Sequence, residues 1–134
     1  MSTFVYDNAR SLAATGALNW PAVSARAALV SAAYAPNAAT DVYLSDLPGG
    51  ASIINVAMTG LSQDDGNCTG TIPEFMAFLD AATVVGLLIY IDTGNPATSP
   101  LVYYSDQGVG FPFQPLGFNY AIAADQSAGG FFQL

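Results

Sequence analysis

Nine Asp and one Glu are the groups in this 134-residue chain that could carry acid–base or metal chemistry, because the chain has no His, no Lys and a single Cys. Without His or Lys there is no Ser-His-Asp or Cys-His arrangement, no Schiff-base lysine and no lysine of a phosphate-binding loop. Two carboxylates can act as general acid and base, but nearly every Asp here sits in a turn-like context, where it caps or solvates backbone N–H groups. Catalysis is therefore not expected. Two oxygen-rich clusters have the atom types of a calcium site: Asp64, Asp65 and Asn67, then Asp92, Thr93 and Asn95. Neither has the spacing or terminal Glu of an EF-hand loop, so turn chemistry is their expected role and no cofactor or metal is expected. Cys68 stands alone, which excludes an intrachain disulfide and a cysteine zinc cluster; a buried structural thiol is expected. Asn67-Cys68-Thr69 matches the glycosylation pattern by chance.

Aromatic side chains are the remaining candidates. Phe111 and Phe113 lie in a segment punctuated by Gly108, Gly110, Pro112, Pro115 and Gly117. Aromatics on such a loop are common interface anchors, and the alternative, that the loop folds back and tops the core, stays open. Tyr103 and Tyr104 join them as interface candidates. In a different functional class, a carbohydrate- or calcium-binding module, these four rings would face a sugar.

The elements that must position these residues centre on 84–106. Val84 to Ile91 and Leu101 to Tyr104 are β-rich apolar runs around Asp92, Thr93, Gly94, Asn95 and Pro96, which favour turns, so the segment reads as a long-looped hairpin. Ala9, Leu12 and Ala13 recur at helical spacing between Tyr6 and Gly16, which predicts one short N-terminal helix closed by Gly16. Val23 to Tyr34 is Ala-rich, but Pro21 and Pro36 bound it and its residues alternate weakly, so strand is expected. Pro36 to Gly50 reads as a long connection pinned by Val42, Tyr43, Leu44 and Leu47, with Thr40 able to cap a helical turn. Ser52 to Thr59 reads as a strand and Leu61 to Gly70 as a loop. Ile72 to Ala81 fits a helix through Phe75, Phe78 and Leu79, and equally a strand through Phe75, Ala77 and Leu79. Phe118 to Ala123 and Phe131 to Leu134 read as a closing pair of strands. The expected fold is mainly β: a single antiparallel β-sandwich over residues 1–134 with one short N-terminal helix.

Composition adds the constraint on partners. The chain is 52% hydrophobic but only 9% charged, against about 25% in ordinary soluble domains. A surface so poor in charge tends to associate unless something covers it, and copies of the same chain are the simplest cover. The charges are also one-sided: Arg10 and Arg26 face ten carboxylates, for a net charge of −8. Nucleic-acid binding needs several cations to displace counterions, so no nucleic acid is expected as a partner. Anionic membranes are disfavoured for the same reason, and the longest apolar run, Ala81 to Ile91, is too short to span a bilayer. The opening residues lack a basic start followed by an apolar core, so no signal peptide is expected.

In their order along the chain, a set of short patterns resembles a family of small tailed-bacteriophage virion proteins. They are Phe4-Val5-Tyr6-Asp7-Asn8-Ala9-Arg10 with Leu18-Asn19-Trp20, then Ala28-Leu29-Val30-Ser31-Ala32-Ala33-Tyr34-Ala35-Pro36-Asn37 and Val42-Tyr43-Leu44-Ser45-Asp46-Leu47-Pro48. Ile89-Tyr90-Ile91-Asp92-Thr93-Gly94, Ala97-Thr98-Ser99-Pro100-Leu101-Val102 and Gly130-Phe131-Phe132-Gln133-Leu134 complete it. Each is a turn-and-strand pattern without a chemical signature, and the chain departs from the family between Gln63 and Phe78 and at Gln126-Ser127-Ala128-Gly129. The resemblance implies a β-sandwich, the strand reading of Ile72 to Ala81, and a place in the virion after synthesis in the host cytoplasm. Its implied partners are the major capsid protein and other copies of itself, a trimer being one arrangement, in a decoration or cement role on the capsid exterior. The alternative it allows is a tail, neck or fibre component. It supplies no catalytic residues.

Overall fold

Three strands with apolar side chains on both faces form the centre of the molecule. They are β2 (Ala25–Ser31), β6 (Val84–Ile91) and β7 (Leu101–Ser105), and all but a few of their residues are buried. The computed structural model describes residues 3–49, 51–64, 67–75, 83–106, 112–117 and 132–133. β6 runs antiparallel to β7, with Leu88 opposite Tyr104 and Ile89 opposite Tyr103, so the long-looped hairpin forms as its apolar runs predict. β2 pairs antiparallel with the other side of β6, Ala27 opposite Ile89 and Leu29 opposite Leu87. Small residues on β2 let this strand lie between two layers: Ala25, Ala27 and Ala28 are all buried. The weak alternation seen in the sequence thus reflects burial on both faces rather than one wet face.

β3 (Ser52–Ala57) and β1 (Thr3–Val5) complete a five-stranded sheet in the order β1-β7-β6-β2-β3. β1 was not foreseen, because three residues are too few to show a period; Phe4 pairs with Tyr104 and Val5 with Tyr103. Tyr6 prolongs the ladder by donating its N–H to the Val102 carbonyl at 2.9 Å. Helix α1 (Asp7–Ala14) follows immediately and buries Ala9, with Leu12 and Ala13 packed on the core. It ends as its glycine dictates. Gly16 has φ +82°, and the N–H groups of Gly16 and Ala17 reach back to Ala13 and Leu12, the left-handed closure that a residue without Cβ adopts freely.

The expectation that Leu61 to Gly70 is a loop is corrected by a second, smaller sheet. β4 (Thr59–Asp64) pairs antiparallel with β5 (Asn67–Thr71), which in turn pairs with β8 (Phe132–Gln133). The polar turn residues occupy only the tip, while Ser62 and Thr69, Gln63 and Cys68 face each other along the ladder. β3 runs directly into β4 through Met58, so one stretch of chain leaves the first sheet and enters the second. Met58 and Cys68 belong to the same buried cluster as β2, β6 and β7, and Trp20, in a short 3-10 turn at Trp20–Ala22, ties the sheets by donating its indole N–H to the Thr69 carbonyl at 2.8 Å. The architecture is mainly β, with two antiparallel sheets and α1 as the α-helix among the described residues. Phe75 is buried, whereas residues 76–81 of the ambiguous segment, and Phe118 to Ala123 with Phe131, lie outside the described residues. The described partner of Phe132–Gln133 is β5.

Gly86 shows how close the packing is. A Cβ built there would stand 2.7 Å from the Tyr104 hydroxyl and 2.9 Å from its ring, and Tyr104 is wedged between other aromatics. Gly86→Ala is expected to cost about 1–3 kcal/mol, the usual range for overpacking a filled core, read as a lower midpoint in urea unfolding at unchanged slope.

Candidate interaction surface

The structure separates the four aromatic candidates. Tyr103 and Tyr104 are buried, at 6% and 2% exposure, which corrects their assignment to an interface: both stand on an inner strand between β1 and β6. Tyr104 packs against Phe4 at 5.6 Å and edge-on against Tyr34 at 6.0 Å between ring centroids. The two rings therefore form core and offer no stacking platform to a sugar. Phe111 lies outside the described residues. Phe113 is half-buried against the core and exchanges two backbone hydrogen bonds with Val84, at 2.7 and 3.0 Å. Phe113 itself thus sits against the start of β6, as the second of the two readings has it for this residue.

The same loop presents a different side chain. Leu116 follows buried Pro115 and is 62% exposed; Tyr43, on the connection after β2, is 40% exposed. An apolar residue held between Pro115 and Gly117 was the available sequence signal for Leu116, outweighed by the larger phenylalanines. Edge strand β3 adds half-buried Ile53, Ile54 and Val56 next to exposed Ser52, Asn55 and Ala57.

The polar cluster between β6 and β7 is occupied by its own backbone. In the connection between β6 and β7, an Asp92 carboxylate oxygen accepts the Gly94 N–H at 2.9 Å and the Asn95 side-chain oxygen accepts the Ala97 N–H at 3.0 Å. The Thr98 and Ser99 hydroxyls both donate to the Asn95 carbonyl. These are turn bonds. Asp64 and Asn67 flank the tip of the β4–β5 hairpin, and Asp65 between them lies outside the described residues; among the described residues no three His, Cys, Asp or Glu side chains gather as a metal group would require. Between β2 and β3, Asn37 rather than Thr40 caps the turn, accepting the N–H groups of Ala39 and Thr40. Asp46 accepts those of Val42 and Tyr43, each at 2.9 Å, and these bonds hold its carboxyl below the usual range. Cys68 is buried, and desolvation pushes its thiol up to about 11, so it is protonated and unreactive near neutrality.

Beneath this surface runs a buried hydroxyl chain. The Tyr6 and Tyr34 hydroxyls are 2.5 Å apart, and the Tyr34 hydroxyl donates to the Asp41 carboxylate at 2.8 Å. An ionised carboxylate only accepts, so the single proton of Tyr34 goes to Asp41 and Tyr6 must donate to Tyr34. Burial raises both tyrosines, and each hydroxyl stays protonated. The chain anchors the end of β1 to the connection after β2.

A shallow cleft of about 390 Å³ lies between α1 and β4, walled by Arg10, Leu18, Asn19, Trp20 and Gln63. Its largest ring, Trp20, is 2% exposed with its N–H already bonded, so the cleft offers an arginine and two amides but no aromatic platform. No helix among the described residues is long and apolar enough to cross a membrane. No protein-family model, curated protein or solved structure matches this chain.

Two outcomes follow from the polar contacts. Tyr34→Phe strands the buried Tyr6 hydroxyl without its acceptor and is expected to cost about 1–3 kcal/mol. Tyr6→Phe leaves Tyr34 bonded to Asp41 and costs about 0.5–1.5 kcal/mol; chemical denaturation of the two variants side by side gives the order. Because Asp46 is depressed in the folded state, its contribution is present above the unfolded carboxylate value of about 4 and lost as pH falls through the lower folded value. Thermal melts of Asp46→Asn in a falling pH series should show a shallower acid decline than the native chain, and a lower midpoint at neutral pH.

Proposed function

We propose that this chain is a structural component of a tailed-bacteriophage particle, and within it a capsid decoration or cement protein. Copies associate with one another and bind the major capsid protein on the outside of the shell. The observation that carries the reading is an uncovered apolar surface on a β scaffold in a chain that is only 9% charged. Leu116 is exposed on its loop, and Ile53, Ile54 and Val56 are half-buried on β3, whose outer edge no described strand pairs. A coat component can leave such surface bare because neighbouring subunits cover it. The ordered turn-and-strand patterns described above support the same class.

The mechanism is attachment without catalysis. Apolar side chains and strand-edge N–H and C=O groups lose water against the capsid, and the contact does not depend on charge pairing, which two arginines cannot supply. Each contact is small, but repetition over a shell makes the sum strong. The net charge of −8 keeps free copies soluble before assembly. The burial of Tyr103 and Tyr104 weighs against the sugar-binding alternative, which relied on their rings.

Electron microscopy of intact virions labelled with an antibody to this chain tests the assignment. Label over the capsid faces supports cement, label confined to the tail moves the chain to a tail, neck or fibre role, and unlabelled particles remove the virion reading. Leu116→Asp, at an exposed position where the fold tolerates change, is expected to weaken binding to capsids lacking this chain about 5- to 30-fold, the loss that goes with 1–2 kcal/mol. Co-sedimentation with those capsids reads the change, and unaltered occupancy removes Leu116 as an anchor.

A further inference from the structure

Among the described residues no strand pairs with the outer edge of β3, and the phase of that edge is known. Met58 donates its N–H to the Ala25 carbonyl at 3.0 Å, so the residues in step with it, Val56 and Ile54, direct their backbone groups at β2. Asn55 and Ala57 direct theirs away from the sheet. β3 is the last strand in the order β1-β7-β6-β2-β3. Edges of this kind are ordinarily blocked by Lys, Pro, an inward charge, brevity or a β-bulge; here the bulge sits at one end of β3 and leaves Ile54 to Ala57 in regular register. Ser52-Ile53-Ile54-Asn55-Val56-Ala57 has no Lys, no Pro and no charge.

The regular part of the edge is bounded at both ends, which sets a centre. Toward its start the register shifts, Leu29 facing Ile54 but Val30 facing Ser52, so Ile53 is the bulged residue. Toward its end the chain leaves the sheet at Met58. The midpoint between Ile54 and Met58 is Val56. An antiparallel copy turned about a two-fold axis at Val56 sets Asn55 against the partner's Ala57 and Ala57 against the partner's Asn55. Both become hydrogen-bonded pairs, giving about four backbone hydrogen bonds, two for each such pair. Val56 then packs on the partner's Val56, with Ile54 extending the apolar strip on the same face.

Charge also permits a second copy as the occupant, at an edge where two acidic chains can meet. Two chains of net charge −8 repel wherever carboxylates approach, yet residues 47–63 carry no charged side chain. The charged residue on the neighbouring strand is Arg26, whose Nε donates to the Asn55 side-chain oxygen at 2.8 Å. Two β3 edges brought together by a two-fold axis therefore set no carboxylate against a carboxylate. We propose that two copies of this chain pair antiparallel through β3 about a two-fold axis at Val56, merging their five-stranded sheets into one. The proposal deepens the self-association in the reading above and rests on it in that respect; it does not depend on capsid binding.

Sedimentation velocity of the full chain over a micromolar concentration series, with two variants, tests it. The native chain is expected to dimerise. Ala57→Pro removes an outward N–H at a position where an edge strand tolerates proline, and is expected to stay monomeric with native circular dichroism. Val56→Cys is expected to give a disulfide-linked dimer on mild oxidation, since facing residues of a non-hydrogen-bonded pair lie about 4.5 Å apart at Cα, within disulfide reach. The native chain, with Cys68 buried, serves as the control. Cross-linking by Asn55→Cys in place of Val56→Cys overturns the register. A folded Ala57→Pro chain that still dimerises overturns the edge while leaving self-association intact. A monomeric native chain overturns both, and the capsid labelling described above remains a separate result.

Discussion

Everything in this fold depends on β6 being covered on both edges and both faces. Its backbone is paired by β2 and β7, and its side chains from Leu87 to Tyr90 are shut away from water on either side. Burying both faces of a strand is favourable at about 25 cal/mol for each Å² of apolar surface, but only if every N–H and C=O finds a partner. That requirement brings in the flanking strands, and the need to cover two faces brings in the aromatic group of Phe4, Tyr6, Tyr34 and Tyr104. Gly86 is small because the Tyr104 ring on neighbouring β7 fills the space a side chain would need.

Much of this was legible in the residues, and the exceptions have physical causes. The β6–β7 hairpin, α1 and β2 were visible because long runs and bounding prolines or glycines mark them. β4 and β5 were missed because Gln63-Asp64-Asp65-Gly66-Asn67 has strong turn chemistry, which drew the whole segment into a loop although only the tip turns. β1 is stabilised by pairing with a distant strand, a tertiary effect that no local window contains. The interface candidates show the same limit in another form. Tyr103 and Tyr104 beside a polar connection look available in sequence, yet a residue flanked by strands on both sides is interior whatever its hydroxyl suggests. Leu116 was overlooked because aromatic residues command attention, whereas exposure is decided by which residue the turn points outward.

The scarcity of charge has a consistent structural expression. Arg26 is engaged by Asn55, Asp41 by Tyr34 and the Asn37 N–H, and Asp46 and Asp92 by backbone N–H groups. Asp41, Asp46 and Asp92 thus serve local geometry. With net charge −8 on each copy, added salt screens the repulsion between copies.

The pairing of β1 carries a consequence for how the molecule comes into being. Thr3 meets its partner at Ser105 and β2 meets β6 across more than a third of the chain. On the ribosome the first strand emerges early and waits for β7, so the five-stranded sheet closes only when most of the polypeptide is available. Chains dominated by such distant pairings fold slowly, and an apolar sequence held open for that time is exposed to aggregation. The excess of negative charge, spread from Asp7 to Asp125, keeps nascent copies apart during that interval.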